Sequence, residues 1–281
     1  MGAILPLRYP SHCVLRSAAP ALLLLLPLAP AAAATPPTGF SLALLHAVVL
    51  DEPALALAFV DDSRLAVLFG DSVGLYRVEG SNVRRAAHRP LDGPLAAVRR
   101  PGGLIVPGED AFWALSSRMP EAVLFATDAD RLEARAKAAA LPWPGSPLGL
   151  RYRDGTDLLE SAAGLLLAPP LQGLAVDREG RVLALGPEGP VETKERAGPA
   201  VAALEEGLVA AASADPPGPA DAIQLLRPQG DDVRLLDSLP VSGAVRALAG
   251  RRLGSEFRLA AVVETEHGFE LRLLRLLRGP S

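Results

Sequence analysis

The chain has 281 residues, is 49% hydrophobic and 21% charged, and carries a formal net charge of −4. That charged fraction is close to the roughly 25% of packed globular proteins and excludes a disordered polyelectrolyte. An acidic balance with 4% aromatic residues excludes the basic stripe, and the basic-aromatic surface, of general nucleic-acid binders.

Residues 1–34 carry Arg8 and Arg16 but no acid. An apolar block from Ala18 to Ala29 follows, with Leu22 to Leu26 unbroken, and then Ala31 to Ala34. A positive start, a short apolar core and small residues at a cleavage point are the parts of a secretory signal peptide. Cleavage after Ala34 leaves Thr35 as the new N-terminus and residues 35–281 as one domain. An uncleaved anchor helix is the alternative, but Pro20, Pro27 and Pro30 interrupt a stretch already near the lower length for spanning. Cys13 precedes the apolar block, where a lipidated cysteine would follow it. Removing residues 1–34 takes the net charge from −4 to −6 and removes the chain's single cysteine. An exported chain of this kind has neither disulfides nor thiolate chemistry.

Beyond residue 34 the chain alternates in short apolar runs. Ser41 to Leu50 reads as a strand. Ala54 to Val60 and Arg64 to Phe69 flank the turn Asp61-Asp62-Ser63 as a hairpin. The same unit recurs at Leu95 to Arg99 with Leu104 to Val106, and at Leu148 to Arg153 with Asp157 to Leu159. It recurs again at Leu174 to Val176 with Arg181 to Leu185, at Pro199 to Leu204 with Leu208 to Ala212, and at Ala244 to Ala249 with Phe257 to Val263. Single strands are predicted at Val73 to Val78, Val83 to His88, Ala111 to Leu115, Ala122 to Thr127, Ile223 to Arg227, Val233 to Leu236 and Phe269 to Leu274. Asp128 to Ala140, rich in Ala, Leu, Glu and Arg, predicts a helix that Pro142 stops. The Leu-Arg-Leu-Leu-Arg pattern within Glu270 to Arg278 fits a helix as well as a strand. Ala212 to Ala220, with three prolines, reads as an exposed loop.

The first four strands, Ala54 to His88, close at Leu91-Asp92-Gly93-Pro94 before the next group begins. A four-stranded meander repeated about every 40–45 residues is the layout of a propeller blade. In this layout the mature chain resembles the WD40 and related propeller-repeat families, without their terminal Trp-Asp. The resemblance implies an all-β propeller of about five to seven blades, in which the N-terminal strand completes the last blade and closes the ring.

Catalytic signatures are sparse. Phe69-Gly70-Asp71-Ser72 looks like the opening block of GDSL-type esterases, yet their Gly-x-Asn-Asp and Asp-x-x-His blocks are missing; the chain's one asparagine is Asn82. A Gly-Asp turn between strands explains those four residues. There is no Gly-x-Ser-x-Gly elbow, and neither Lys137 nor Lys194 follows a glycine-rich phosphate loop. His46, His88 and His267 are isolated, and Asp128-Ala129-Asp130 lacks the later acids of a calcium loop. The residues therefore predict no catalytic group, no metal site and no cofactor.

One constellation remains. The loops joining second to third strands hold Asp71, Glu109, Asp110, Glu188, Asp215, Glu264, Glu266 and His267, with no compensating basic residue inside them. Asp51, Glu52 and Asp92 occupy the loops between blades. Every second loop of a meander returns to the same side, so these residues predict an acidic face for a cation or a basic partner. Solvated turns, where Asp and Glu are common, are the plainer account. The reading that follows is an exported, non-enzymatic propeller whose loops meet a protein or glycan of the envelope, with no nucleic acid. It touches membrane only if the first segment is uncleaved. A divergent metal-dependent propeller hydrolase or lyase, marked by carboxylates converging on the axis, is one alternative. A structural subunit of an envelope assembly is another.

Overall fold

The computed structural model describes residues 39–93, 103–138 except 109, 117 and 120, 162–168, 172–186 except 178, 189–214 except 205 and 206, and 220–278 except 255. Alternating apolar runs become antiparallel strands because an extended chain sends successive side chains to opposite faces. β1 (Phe40–Leu50) stands first. β2 (Ala56–Phe59), β3 (Arg64–Leu68), β4 (Ser72–Glu79) and β5 (Asn82–Pro90) form one sheet in that order. β6 (Gly103–Pro107), β7 (Ala111–Ser116), β8 (Ala122–Asp128) and β9 (Arg131–Ala138) form the next. The third sheet is β10 (Ala162–Ala168), β11 (Gln172–Asp177), β12 (Arg181–Gly186) and β13 (Gly189–Arg196). β14 (Val201–Ala203), β15 (Val209–Ala212), β16 (Ala220–Gln229) and β17 (Asp232–Ser242) make the fourth. β18 (Ala244–Leu253), β19 (Glu256–Thr265) and β20 (Gly268–Arg278) make the last, and β1 completes it by pairing antiparallel with β20. Five four-stranded meanders among the described residues, with the first strand joined to the last sheet, are the architecture of a β-propeller.

The turns follow from their residues. At Asp61-Asp62-Ser63 the Asp61 carboxylate accepts the Ser63 backbone N–H at 2.7 Å and its hydroxyl at 3.0 Å, and also the Arg64 guanidinium. Burial by itself would raise the Asp61 pKa; those donors outweigh it and hold the carboxyl below its ordinary range. This fixes the hairpin that joins β2 to β3.

The core lies between sheets, face against face. Leu174, Val176 and Val182 of the third sheet pack with Val209, Ala211 and Leu226 of the fourth. Ile223 and Leu225 pack with Leu248, Leu259 and Leu274 of the last sheet. Leu50, Val262 and Leu271 meet Leu57, Leu65 and Tyr76 of the first. Leu68, Val73 and Leu75 meet Ile105, Phe112 and Phe125 of the second. On its other face the second sheet carries its own small cluster around Leu115 and Ala122.

One local expectation changes, and one open alternative is decided. Asp128 to Ala140 is not a helix: Ala129 takes a left-handed turn with φ 50°, and β9 returns along β8, with Val123 opposite Lys137. Helix propensity is a weak prior, and sheet pairing overrides it here. Glu270 to Arg278 is a strand held on both sides by β19 and β1. Period two therefore puts Arg272 and Arg275 on opposite faces. The first strand of the second sheet is β6, whereas the sequence placed it second, after Leu95 to Arg99. Residues 95–99 and the hairpin Leu148 to Leu159 lie outside the described residues, as do residues 1–38.

Candidate binding groove

Strand direction sorts the connections into two ends. Links from second to third strand, and links between sheets, lie at one end; the other turns lie at the opposite end. Asp71 sits between β3 and β4, Glu264 near the end of β19, and Glu266 and His267 in the β19–β20 turn, all at the first end. Asp110 sits between β6 and β7, the first and second strands of their sheet, and so belongs to the opposite end. This corrects the grouping of Asp110 with Asp71: counting β6 as a second strand shifts parity by one and moves the loop across the molecule. Thr127, at the end of β8, confirms the placement, because its N–H and hydroxyl both donate to the Asp110 carbonyl oxygen, at 3.1 and 3.3 Å. Glu109, Glu188 and Asp215 lie outside the described residues. Asp61, Asp62, Asp130 and Asp231 also occupy turns of Asp110's end, so acids populate both ends.

Some of the carboxylates at the first end are compensated by guanidiniums that reach in from the strands. Glu264 is paired with Arg246. Glu270 is 2.8 Å from Arg272, and Asp51 is 3.1 Å from Arg85. The sequence reading looked inside the loops for cations and missed Arg246 and Arg272. Their signal was the single charged position in each of two otherwise apolar runs, Ala244 to Ala249 and Leu271 to Leu274.

The pairs Arg246–Glu264 and Arg272–Glu270 line a groove of about 650 Å³ at the end of the last sheet. The β17–β18 connection, Ser242-Gly243, forms one wall, and the β19–β20 turn forms the other. Gly243 has φ 99°, and a Cβ there would lie 2.6 Å from the Glu264 carbonyl oxygen. Only glycine lets the two walls meet so closely. Arg272 donates to the Ser242 carbonyl oxygen at 2.7 Å, which ties the wall to β20. His267 and Glu266 stand on the rim, 83% and 85% exposed, with Nε2 and Oε1 3.3 Å apart. The groove thus offers two fixed ion pairs and exposed polar groups at its mouth.

A second cavity, of about 280 Å³, runs between the first strands of four sheets. Leu57, Phe59, Leu104, Val106 and Val201 line it, with Arg251 at one side. Among the described residues no carboxylate enters that lining, and no three His, Cys, Asp or Glu side chains gather as a metal set. Ser72, of the esterase-like block, is 2% exposed, its hydroxyl donates to Glu52 at 3.1 Å, and its carbonyl accepts the Phe69 N–H at 2.9 Å. That is the geometry of a tight turn.

No family model and no curated protein matches the chain. Solved structures do. The glutaminyl cyclase of Myxococcus xanthus aligns with TM-score 0.51 and 9% identity, over 86% of this chain and 98% of that one. The structure of U3-55K aligns with TM-score 0.50 and 15% identity, over 84% and 98%. The PQQ-bound aldose sugar dehydrogenase of Streptomyces coelicolor aligns with TM-score 0.47 and 12% identity, over 86% and 100%. Likeness at these identities is likeness of fold, and the fold is the β-propeller. Its hosts include enzymes as well as proteins without a named activity, so function rests on the site.

Proposed function

We propose that the protein is an exported, non-enzymatic β-propeller that holds a polar protein segment or glycan of the cell envelope in the groove beside the β19–β20 turn. The observation that carries this reading is the distribution of charge. The described lining of the channel between first strands holds one charged side chain, Arg251, and no carboxylate, whereas two ion pairs and the exposed Glu266 and His267 gather in the groove. Paired ions already oriented by Ser242 and by each other give a polar partner complementary charges at low ordering cost. The first segment, with Arg8, Arg16 and Ala32-Ala33-Ala34, is read as the export signal.

The test is made in cells. A photo-crosslinking residue replacing His267 is expected to capture one envelope component, and the same residue at Asp231, at the opposite end, is expected to capture none. Arg246→Glu should weaken that binding about five- to tenfold, the scale of a half-exposed interfacial charge, and added salt should weaken it in the unsubstituted protein. Mass spectrometry of the envelope fraction should find the N-terminus at or near Thr35. Equal capture from both ends, or peptides of residues 1–17 in the mature protein, overturns the reading.

A further inference from the structure

Sheet edges are where a strand's unpaired N–H and C=O groups face outward, and proteins protect them with charge, proline or short length. The outer strands of the five sheets are β1, β5, β9, β13 and β17. β5 carries three arginines. β9 carries two arginines, a lysine and a glutamate, and β13 two glutamates, a lysine and an arginine. β17 carries two aspartates, an arginine and a proline. β1, eleven residues long and reading Phe-Ser-Leu-Ala-Leu-Leu-His-Ala-Val-Val-Leu, has no Asp, Glu, Lys, Arg or Pro.

Exposure follows the same contrast. The two most exposed large apolar side chains among the described residues are Val49 at 73% and Leu44 at 59%, both on β1. Leu277, at 40%, lies on the neighbouring β20, opposite Ser41. The pairing of β1 with β20 slips between Leu44 and His46. As a result Leu44, Ala47 and Val49 face Leu274, Arg272 and Glu270, which share one side of the unbroken strand β20. A stripe of small and apolar groups therefore runs along an outer strand that carries no charge of its own, beside the Arg272–Glu270 pair of β20.

We propose that this edge joins two copies of the chain, β1 of one pairing antiparallel with β1 of the other about a two-fold axis. The choice of a second copy follows from charge. In a self-paired edge each residue meets residues of the same strand, so a strand whose charges are all of one sign sets like charges against one another and destabilises the pair, whereas an uncharged strand does not. β5, with its three arginines, cannot make such a seam. β1 alone of the five outer strands brings no charged residue to it. A foreign strand selected by charge would find nothing on β1 to read. The two-fold arrangement closes on itself, fuses two four-stranded sheets into one, and leaves neither copy with the apolar edge free.

The test uses the full chain with Cys13→Ser, which contains no other cysteine. Leu44→Cys, Ala47→Cys and Val49→Cys are made one at a time in that background, with Arg84→Cys on β5 as the control edge. Under mild oxidation at least one β1 variant is expected to form a disulfide dimer well above the control. Sedimentation from low to high micromolar concentration should show the unsubstituted chain passing from monomer to dimer. The double variant Leu44→Lys/Val49→Lys should raise the dissociation constant by about tenfold or more, because it places like charges along the seam. At low concentration, where both chains are monomeric, its melting point should match the parent's, since both positions are exposed. A chain that stays monomeric throughout, β1 crosslinks no stronger than the control, or a dimer unweakened by the lysines overturns the proposal. If the double lysine variant fails to fold, the cysteine crosslinks decide alone.

Discussion

Phe112→Ala is expected to melt about 10 °C below the parent protein, the largest loss we anticipate from a single side chain. Phe112 and Phe125 are 0% and 1% exposed. Their rings stack with centroids 5.6 Å apart, in the layer between the first and second sheets. Truncating a buried Phe to Ala costs about 3–5 kcal/mol, because transfer energy is lost and the cavity collapses only in part. In a domain of this size each kcal/mol shifts the midpoint by about 2–4 °C. Phe112→Leu keeps most of the volume and should lose less than half as much. Calorimetry of the two variants checks the ordering. A shift under about 3 °C for the alanine variant would mean that this layer relaxes to fill the hole.

Strand pairs with short polar turns were legible in the sequence for a physical reason. Asp61-Asp62-Ser63 and the glycines at 180, 207 and 254 sit where the chain must reverse, and Gly180, Gly207 and Gly254 take positive φ of 77°, 70° and 63°. Period-two apolar runs on either side then leave little choice but an antiparallel pair. The strand Arg131–Ala138 was not legible. Its residues favour helix locally, and what decides against helix is the pairing with β8 and the burial of Leu132 against the first and second sheets. Neither is a local property. β13 escaped for a related reason: Gly189–Arg196 is mostly polar, as suits an outer strand, and shows no apolar period.

The site was harder to read than the fold because one miscounted strand reverses the end on which a loop lies. Asp71, Glu264, Glu266 and His267 keep their common end because both strands flanking each connection were recognised. Asp110 left it because β6 begins its sheet. Cations were the other gap. Arg246 and Arg272 stand on strands: only the pairing of β18 with β19 brings Arg246 to Glu264, and only the extended form of β20 puts Arg272 on the same side as Glu270, two positions away. An acid-rich list of loops thus described composition correctly while missing the field that those loops experience.

Deleting residues 1–50 should abolish cooperative folding, the largest effect expected of any change. β1 pairs with β20 from Phe40 opposite Arg278 to Leu50 opposite Phe269. Its side chains serve two layers: Leu50, Leu45 and Val48 enter the one against the first sheet, and Phe40 and Leu42 enter the one against the fourth. The Phe40 N–H is further tied to the Asp237 carboxylate at 2.8 Å. At about 1.5–3 kcal/mol for each fully buried side chain, and less for those half-buried, the strand supplies on the order of 8 kcal/mol. That is comparable to the entire stability of about 5–15 kcal/mol of a typical domain. Deletion also turns β20, with Leu271, Leu273, Leu274 and Leu276 at 5% exposure or less, into an unpaired outer edge prone to aggregate. A peptide spanning residues 39–51, added during refolding, should restore a melting transition, because the groove it fills is otherwise complete. Asp237→Ala, which removes the tether to Phe40 and the local bond from the exposed Ser238 N–H, should cost about 1–2 kcal/mol and leave the fold intact. A truncated chain that stays soluble and melts within a few degrees of the full one would show that the last sheet holds without β1.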